Sequence, residues 1–282
     1  MNVVEMTTSA DGTPIAFDRI GSGPALILVG GAFNDRKTPA ELAERLAESF
    51  TVYTYDRRGR GDSGFTEPYA VEREIEDLQA VIEATGGSAH LFGHSSGGAL
   101  ALETAARSIS VSRLAIYEAP YIVDDSRPPL PDDYIEHLEE LTAAGKNKEI
   151  VGYFMTAAVG MPPEMVEPML DSPMTDSMAN IAHTVSYDGR VMLRGSMHGE
   201  PLPAAWRDAV TIPTLVMDGS NSPAWIHNSA RALVQLLPDV SYRTLEGQDH
   251  GAAPEAIAPA LDRKSTRLNS SHIAVSRMPS SA

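Results

Sequence analysis

Hydrophobic and polar positions along this chain follow two rhythms, short apolar runs and helical spacing, and the two alternate. β-Favouring runs at residues 3–8 and 15–20 flank Asp11-Gly12 and predict an antiparallel hairpin. Residues 24–29, PALILV, are apolar throughout, as expected of a strand covered on both faces, and lead into Gly30-Gly31-Ala32-Phe33. Thr38 and Pro39 offer a helix start, with Leu42, Leu46 and Phe50 at helical spacing through Glu48. Residues 51–55 predict another strand, and residues 56–64, DRRGRGDSG, read as a solvated, glycine-punctuated loop. Val71, Ile75, Leu78 and Ile82 mark an amphipathic helix over 70–84, closed by Gly86-Gly87. Residues 88–101 then pass from an apolar strand through Gly93-His94-Ser95-Ser96-Gly97-Gly98 into a helix that reaches about Ser108. Residues 113–117 form a further buried strand ending at Glu118-Ala119-Pro120. This order predicts an α/β fold with a parallel sheet and helices on both faces.

From Tyr121 to Trp206 the rhythm breaks. Helical segments are predicted at 132–144, 146–159, 163–170 and 174–187, with no strand, and methionines and prolines are frequent. The methionines suit either an adaptable apolar surface or plain core filling between lid helices. Strand and helix then resume at 211–217, 224–237 and 240–245, with a helix starting at Pro254. The expected organisation is a core of residues 1–120 and 207–261 with a helical cap of residues 121–206. Residues 262–282, which begin DRKSTRLNSSH, are basic and serine-rich against an acidic body, and resemble an in-frame translation of a library adapter. They are expected to be a non-native or disordered tail.

At 282 residues and 43% hydrophobic content the chain can bury a sizeable core. A net charge of −16 argues against nucleic acid and anionic membrane surfaces as partners; the expected partner is a small-molecule substrate. With no cysteine there is no disulfide, thiol nucleophile or thiolate metal site. Residues 1–10 show no signal peptide and the strongest apolar run, 25–29, cannot span a bilayer, so a cytoplasmic protein is expected. Oligomeric state is left open. No Lys-Ser or Lys-Thr follows the glycine-rich segments, no G-x-G-x-x-G opens a helix, and no histidine pair has metal-ligand spacing, so neither cofactor nor metal is expected.

The candidate chemistry centres on G-H-S-S-G at 93–97, where Ser95 stands at a strand-to-helix turn too tight for side chains two residues away. A serine hydroxyl is a weak nucleophile and needs a base within reach and a third group to orient that base. The strand ending Gly30-Gly31, the DRRGRGDS loop, this elbow and a histidine after the last strand appear in an order that resembles the α/β-hydrolase superfamily, over residues 3–261. The resemblance implies an eight-stranded, mostly parallel sheet with a cap between the sixth and seventh strands. It implies His250 as the base, in preference to His94, which adjoins Ser95 but is expected to point away from it, and to His183, His198 and His227, which read as surface or lining residues. It implies the backbone N–H groups of Ala32 and Ser96 as oxyanion donors, although Gly30 stands where many relatives have a supporting histidine. Asp56 and Arg57 are expected to brace the floor through ion pairs. The acid usually found beyond the seventh strand is missing, because Gly219 is followed by Ser220-Asn221-Ser222-Pro223. Glu118, ending a buried strand where an unpaired charge would be costly, is the first choice, and Asp218, which could instead cap the turn into the next helix, is the alternative. Ser95 excludes the epoxide hydrolase and dehalogenase chemistry that needs an aspartate at the elbow. The expected function is a serine hydrolase acting on carboxylic esters with small to medium acyl groups. A carbon–carbon bond hydrolase, an acyltransferase and a non-catalytic ligand-binding relative remain alternatives.

Overall fold

The computed structural model describes residues 4–107 and 110–262. The expected tail therefore lies outside the described residues, apart from Asp262. One eight-stranded sheet runs in the spatial order β1-β2-β4-β3-β5-β6-β7-β8. Its strands are β1 (Glu5–Thr8), β2 (Pro14–Gly21), β3 (Ala25–Val29), β4 (Thr51–Tyr55), β5 (Ala89–His94), β6 (Val111–Tyr117), β7 (Thr214–Gly219) and β8 (Val240–Leu245). β1 and β2 form the antiparallel edge, β2 pairs antiparallel with β4, and every other pairing is parallel.

The uninterrupted apolar runs are explained by what covers them. Side chains alternate along a strand, so Leu26, Leu28, Phe92, Ala115 and Met217 pack on one face with α1 (Ala40–Leu46) and α11 (Pro254–Leu261). Ile27, Val29, Leu91, Ile116 and Val216 pack on the other with α2 (Val71–Ala84), α3 (Ser96–Ala105) and α10 (Ala224–Leu236). Between β6 and β7, and without a strand among the described residues, lie α4 (Tyr134–Ala143), α5 (Asn147–Tyr153), α6 (Pro163–Val166), α7 (Pro173–Ala179), α8 (Val185–Met192) and α9 (Trp206–Ala209).

Boundaries moved where local chemistry competes with periodicity. Thr38 does not cap α1; its hydroxyl bonds Asp35 at 3.0 Å, Pro39 takes the cap position, and the helix stops at Leu46. The helix predicted over 174–187 breaks after Ala179 and restarts at Val185, with Asn180 and Ile181 in the gap. α5 loosens into a π-helical turn at Phe154–Ala158. β7 begins at Thr214, later than predicted, because Pro213 has no N–H to give a ladder.

Candidate active site

Ser95 is the single residue between β5 and α3, and its backbone sits at φ 58°, ψ −132°. For a residue with a Cβ this region costs about 1–3 kcal/mol and persists only when the surroundings over-determine it. Here they do. The Ser95 amide donates to Tyr117 O at 3.0 Å, and Ser95 O accepts from the Gly98 amide at 2.9 Å. A Cβ on Gly93 would come within 2.4 Å of Gly97 O, and one on Gly97 within 2.2 Å of Val29 O. The two glycines are thus required by backbone crossing at the elbow. The other non-glycine residues with positive φ among those described, Phe33 and Glu118, follow β3 and β6, the strands that flank β5.

Glu118 is 2% exposed and is bonded from three elements. Its Oε2 accepts from His250 Nδ1 at 2.8 Å, and its Oε1 from the Gly219 amide at 2.8 Å and Ser222 Oγ at 2.5 Å. Burial opposes its ionisation, but the bonds from His250, Ser222 and Gly219 outweigh this and hold its pKa below the ordinary carboxylate value. The His250 loop is itself anchored: His94 Nε2 lies 2.9 Å from His250 O, and the Tyr117 hydroxyl donates to Asp249 O. A carbonyl only accepts, so His94 carries a proton on Nε2. Burial, with the neighbouring His250 ring, lowers the His94 pKa to about 4 and keeps it neutral.

Asp218 is turned elsewhere. Its Oδ2 accepts from His227 Nδ1 at 2.6 Å and from the Tyr242 hydroxyl at 2.5 Å. The structure therefore brings Glu118 to His250 and sets Asp218 against His227, one turn into α10, where it pairs with a side chain instead of capping the turn. His183 Nε2 contacts Gly59 O at 3.0 Å, and His198 lies 4.0 Å from Glu200.

The 56–64 segment departs from a solvated loop, while the bracing ion pairs expected of Asp56 and Arg57 are present. Arg57, Arg58 and Arg60 are 2%, 0% and 1% exposed. Arg57 pairs with Glu74 at 2.6 Å and with Asp188 at 2.5 Å, and Arg60 reaches the other oxygen of Asp188 at 2.7 Å. Burial disfavours the Arg57 charge, yet Asp188 and Glu74 raise its pKa well above the ordinary value. Asp56 instead pairs with Arg36. Arg60 Nη1 also donates to Gly31 O at 2.6 Å and Asn34 O at 3.1 Å, and Arg57 Nη1 to Gly30 O at 3.3 Å. In a trans peptide the C=O and N–H point apart, so the grip on Gly31 O turns the Ala32 N–H away from the arginine. Two guanidinium groups thus hold the carbonyls of Gly30 and Gly31.

Asp188, on α8, was not foreseen and had no local sequence signal. Besides the two arginines it accepts from Ser96 Oγ at 2.7 Å, which ties the helical block to the elbow. Burial works against its charge, but Arg57 and Arg60 hold its pKa below the ordinary value.

Ser95, His250, Ala32 and Ser96 all face one cavity of about 260 Å³. Its wall is mainly apolar, with Ile122, Leu130, Phe154, Met192, Met197 and Trp225. Met192 and Met197 thus serve as pocket surface, while Met155 and Met178 pack against the core, so both readings of the methionines apply. Among the described residues no group of three or more His, Cys, Asp or Glu is placed to hold a metal ion, and no helix is long and apolar enough to cross a membrane.

The chain is similar to an alpha/beta hydrolase from Sphaerobacter thermophilus DSM 20745, with 54% identity, a TM-score of 0.84, and coverage of 91% of this chain and 98% of the other. It is 38% identical over 104 residues to the N-formylmaleamate deformylase of Pseudomonas putida, a stretch covering 36% of this chain and 39% of that protein. It is 25% identical over 239 residues to the 2-(acetamidomethylene)succinate hydrolase of Mesorhizobium japonicum, covering 82% of each. The chain spans less than half the length of the first two curated relatives it matches. The family model described as "Alpha/beta hydrolase family" matches residues 25–260, from the first strand of the parallel sheet to the helix after the last. With so long a match on this strand order, the chain belongs to the alpha/beta hydrolase family.

Proposed function

We propose that the protein is a serine hydrolase that cleaves carboxylic esters with small to medium acyl groups through an acyl-enzyme. Ser95 Oγ attacks the acyl carbon while His250 takes the hydroxyl proton and passes it to the departing alcohol oxygen. The N–H groups of Ala32 and Ser96 receive the tetrahedral oxyanion, and the Ser96 amide is free for this because the first N–H groups of a helix lack intrahelical partners. Water then attacks the serine ester, His250 taking its proton and returning it to Ser95 Oγ, and the carboxylic acid leaves. Glu118 orients the imidazole throughout and balances its transient charge.

The observation that carries this reading is the 2.8 Å bond from His250 Nδ1 to buried Glu118, made by a histidine that shares a cavity with the strained Ser95. Holding Nδ1 leaves Nε2 for the serine. A second reading, hydrolysis of an N-acyl bond, is favoured by the names of two relatives, a deformylase of N-formylmaleamate and a hydrolase of 2-(acetamidomethylene)succinate. Both readings use the same residues.

Fluorophosphonate labelling together with p-nitrophenyl acetate turnover tests the proposal. The wild-type protein is expected to label and turn over, and Ser95→Ala to lose both while keeping its melting temperature. Labelling that persists in Ser95→Ala would overturn the assignment, and wild-type protein without turnover would favour a binding role. Matched p-nitrophenyl ester and p-nitroanilide substrates separate the two hydrolytic readings.

A further inference from the structure

We infer that the substrate carries a free carboxylate besides its scissile acyl group, and that Arg127 receives it. The inference takes the reacting bond from the hydrolase reading above but rests on a different residue. Two side chains charged at neutral pH line the cavity, Asp188 and Arg127. Asp188 is neutralised by Arg57 at 2.5 Å and Arg60 at 2.7 Å. Arg127 has no counterpart, since among the described residues no carboxylate oxygen lies within 4.0 Å of its guanidinium. Half-buried against apolar neighbours, it carries the cavity's one uncompensated charge.

Its position is nevertheless fixed. Nε donates to Pro128 O at 3.1 Å, Nη1 to Ala158 O at 2.8 Å and Nη2 to Ala157 O at 3.0 Å, while the guanidinium carbon lies 4.6 Å from the centre of the Trp225 ring. Part of this is structural, because Ala157 and Ala158 close the π-helical turn and a cation suits the carbonyl end of a helix. That role takes two of the five N–H donors, and the bond to Pro128 O a third. It explains neither a charge in the wall of the reaction cavity nor the lack of a carboxylate to match it. Burial acts to lower the Arg127 pKa, and Tyr134, in the same cavity wall, acts the other way. Carbonyl dipoles and an aromatic face hold the group without cancelling its charge. A planar guanidinium with two free N–H groups is suited to a carboxylate. Because the cavity is only about 260 Å³, that carboxylate and the acyl group at Ser95 belong to one short molecule. The geometry therefore points to monoesters or monoamides of small dicarboxylic acids.

The test compares p-nitrophenyl hemiglutarate with the uncharged p-nitrophenyl pentanoate. In Arg127→Gln the ratio of kcat/KM for the charged over the neutral ester is expected to fall by about ten- to a hundredfold, mainly through KM, with part of the loss restored in Arg127→Lys. An unchanged ratio, or a wild-type preference for the pentanoate that Arg127→Gln leaves as it is, overturns the inference. Calorimetric titration of Ser95→Ala with glutarate and with glutaramide needs neither turnover nor an Arg127 variant. Saturable binding of glutarate and not of glutaramide upholds the carboxylate site even if neither ester is hydrolysed, which would sink the hydrolase reading alone. Equal binding of the two, or none of either, overturns it even if both esters are turned over.

Discussion

Two histidine–carboxylate pairs stand on neighbouring strand ends of this molecule, and they differ in place and in how fully the carboxylate is bonded. Glu118 follows β6 and holds His250 at 2.8 Å; Asp218, near the end of β7, holds His227 at 2.6 Å. Both carboxylates are buried, at 2% and 0% exposure. Only the first pair turns its imidazole toward the cavity with Ser95. Glu118 has its charge bonded from three sides, whereas one oxygen of Asp218 is buried without a hydrogen-bond partner. A histidine and a carboxylate in contact are therefore not a site; the open face of the ring makes the difference. The largest test of that statement is His250→Ala against His227→Ala. The first is expected to lower kcat/KM for p-nitrophenyl acetate by about 10⁴- to 10⁶-fold, and the second to change it less than about threefold.

The carboxylates themselves come next. Glu118→Gln should lower kcat by about 10³- to 10⁴-fold, since the amide cannot balance an imidazolium and its NH₂ would face the donors of Gly219, Ser222 or His250. Asp218→Asn should leave kcat nearly unchanged and cost about 1–3 kcal/mol in urea denaturation, because it weakens the bond to His227. Comparable losses of activity in the two variants would erase the distinction between the pairs.

How far the sequence carries this comparison depends on how local each determinant is. The elbow is legible because the clash at Gly93 is with Gly97 O within the same turn, although that at Gly97 is with Val29 O on β3, and Glu118 because a carboxylate closing a buried strand needs a partner. The sheet is legible from strands covered on both faces. The pairing of Asp218 with His227 is not, since both residues satisfy unremarkable roles in isolation. Ion pairs at Arg57 are legible, but not the burial of Arg58 and Arg60 beside it, nor the partners, since the three charges are balanced by Glu74, Asp77 and Asp188 from α2 and α8. Arg60 and Asp188 are 128 residues apart, and no periodicity links them. Read alone, three arginines among glycines look like a solvated turn; with their partners in place they become a floor. The helix boundaries of the 121–206 block fail for a related reason, as short helices held by packing break where Asn180 or a π-turn fits the neighbours.

Those arginines allow the same contrast of place at smaller magnitude. Arg60 grips Gly31 O, while Arg58 pairs with Asp77 and Asp11 away from the cavity. A lysine keeps the charge but cannot span several acceptors at once. Arg60→Lys is expected to lower kcat by about tenfold with less effect on KM, through a loosened Ala32 N–H, whereas Arg58→Lys should lower the melting temperature and leave kcat alone. Equal kcat in both variants would remove Arg60 as the positioning group of that loop.

The smallest expected effect concerns His94, the brace that the His250 pair has in its 2.9 Å contact to the His250 carbonyl. Its pKa is lowered from 6.5 to about 4, so the folded protein keeps it neutral where the unfolded chain protonates it. Between those values the unfolded state binds more protons, and stability must fall as pH falls. The contribution is complete above about pH 6.5 and declines toward the folded pKa, by at most about 3 kcal/mol, because the ring is only partly withdrawn from water. Glu118, with its pKa held below the ordinary carboxylate value, loses its own contribution only at lower pH and so does not account for a decline between about 6.5 and 4.5. His94→Gln retains an N–H donor for the carbonyl and cannot titrate. Urea denaturation at pH 7.5, 5.5 and 4.5 should give a shallower decline for His94→Gln than for the wild type. Parallel declines would mean that the loop under His250 does not depend on a neutral His94.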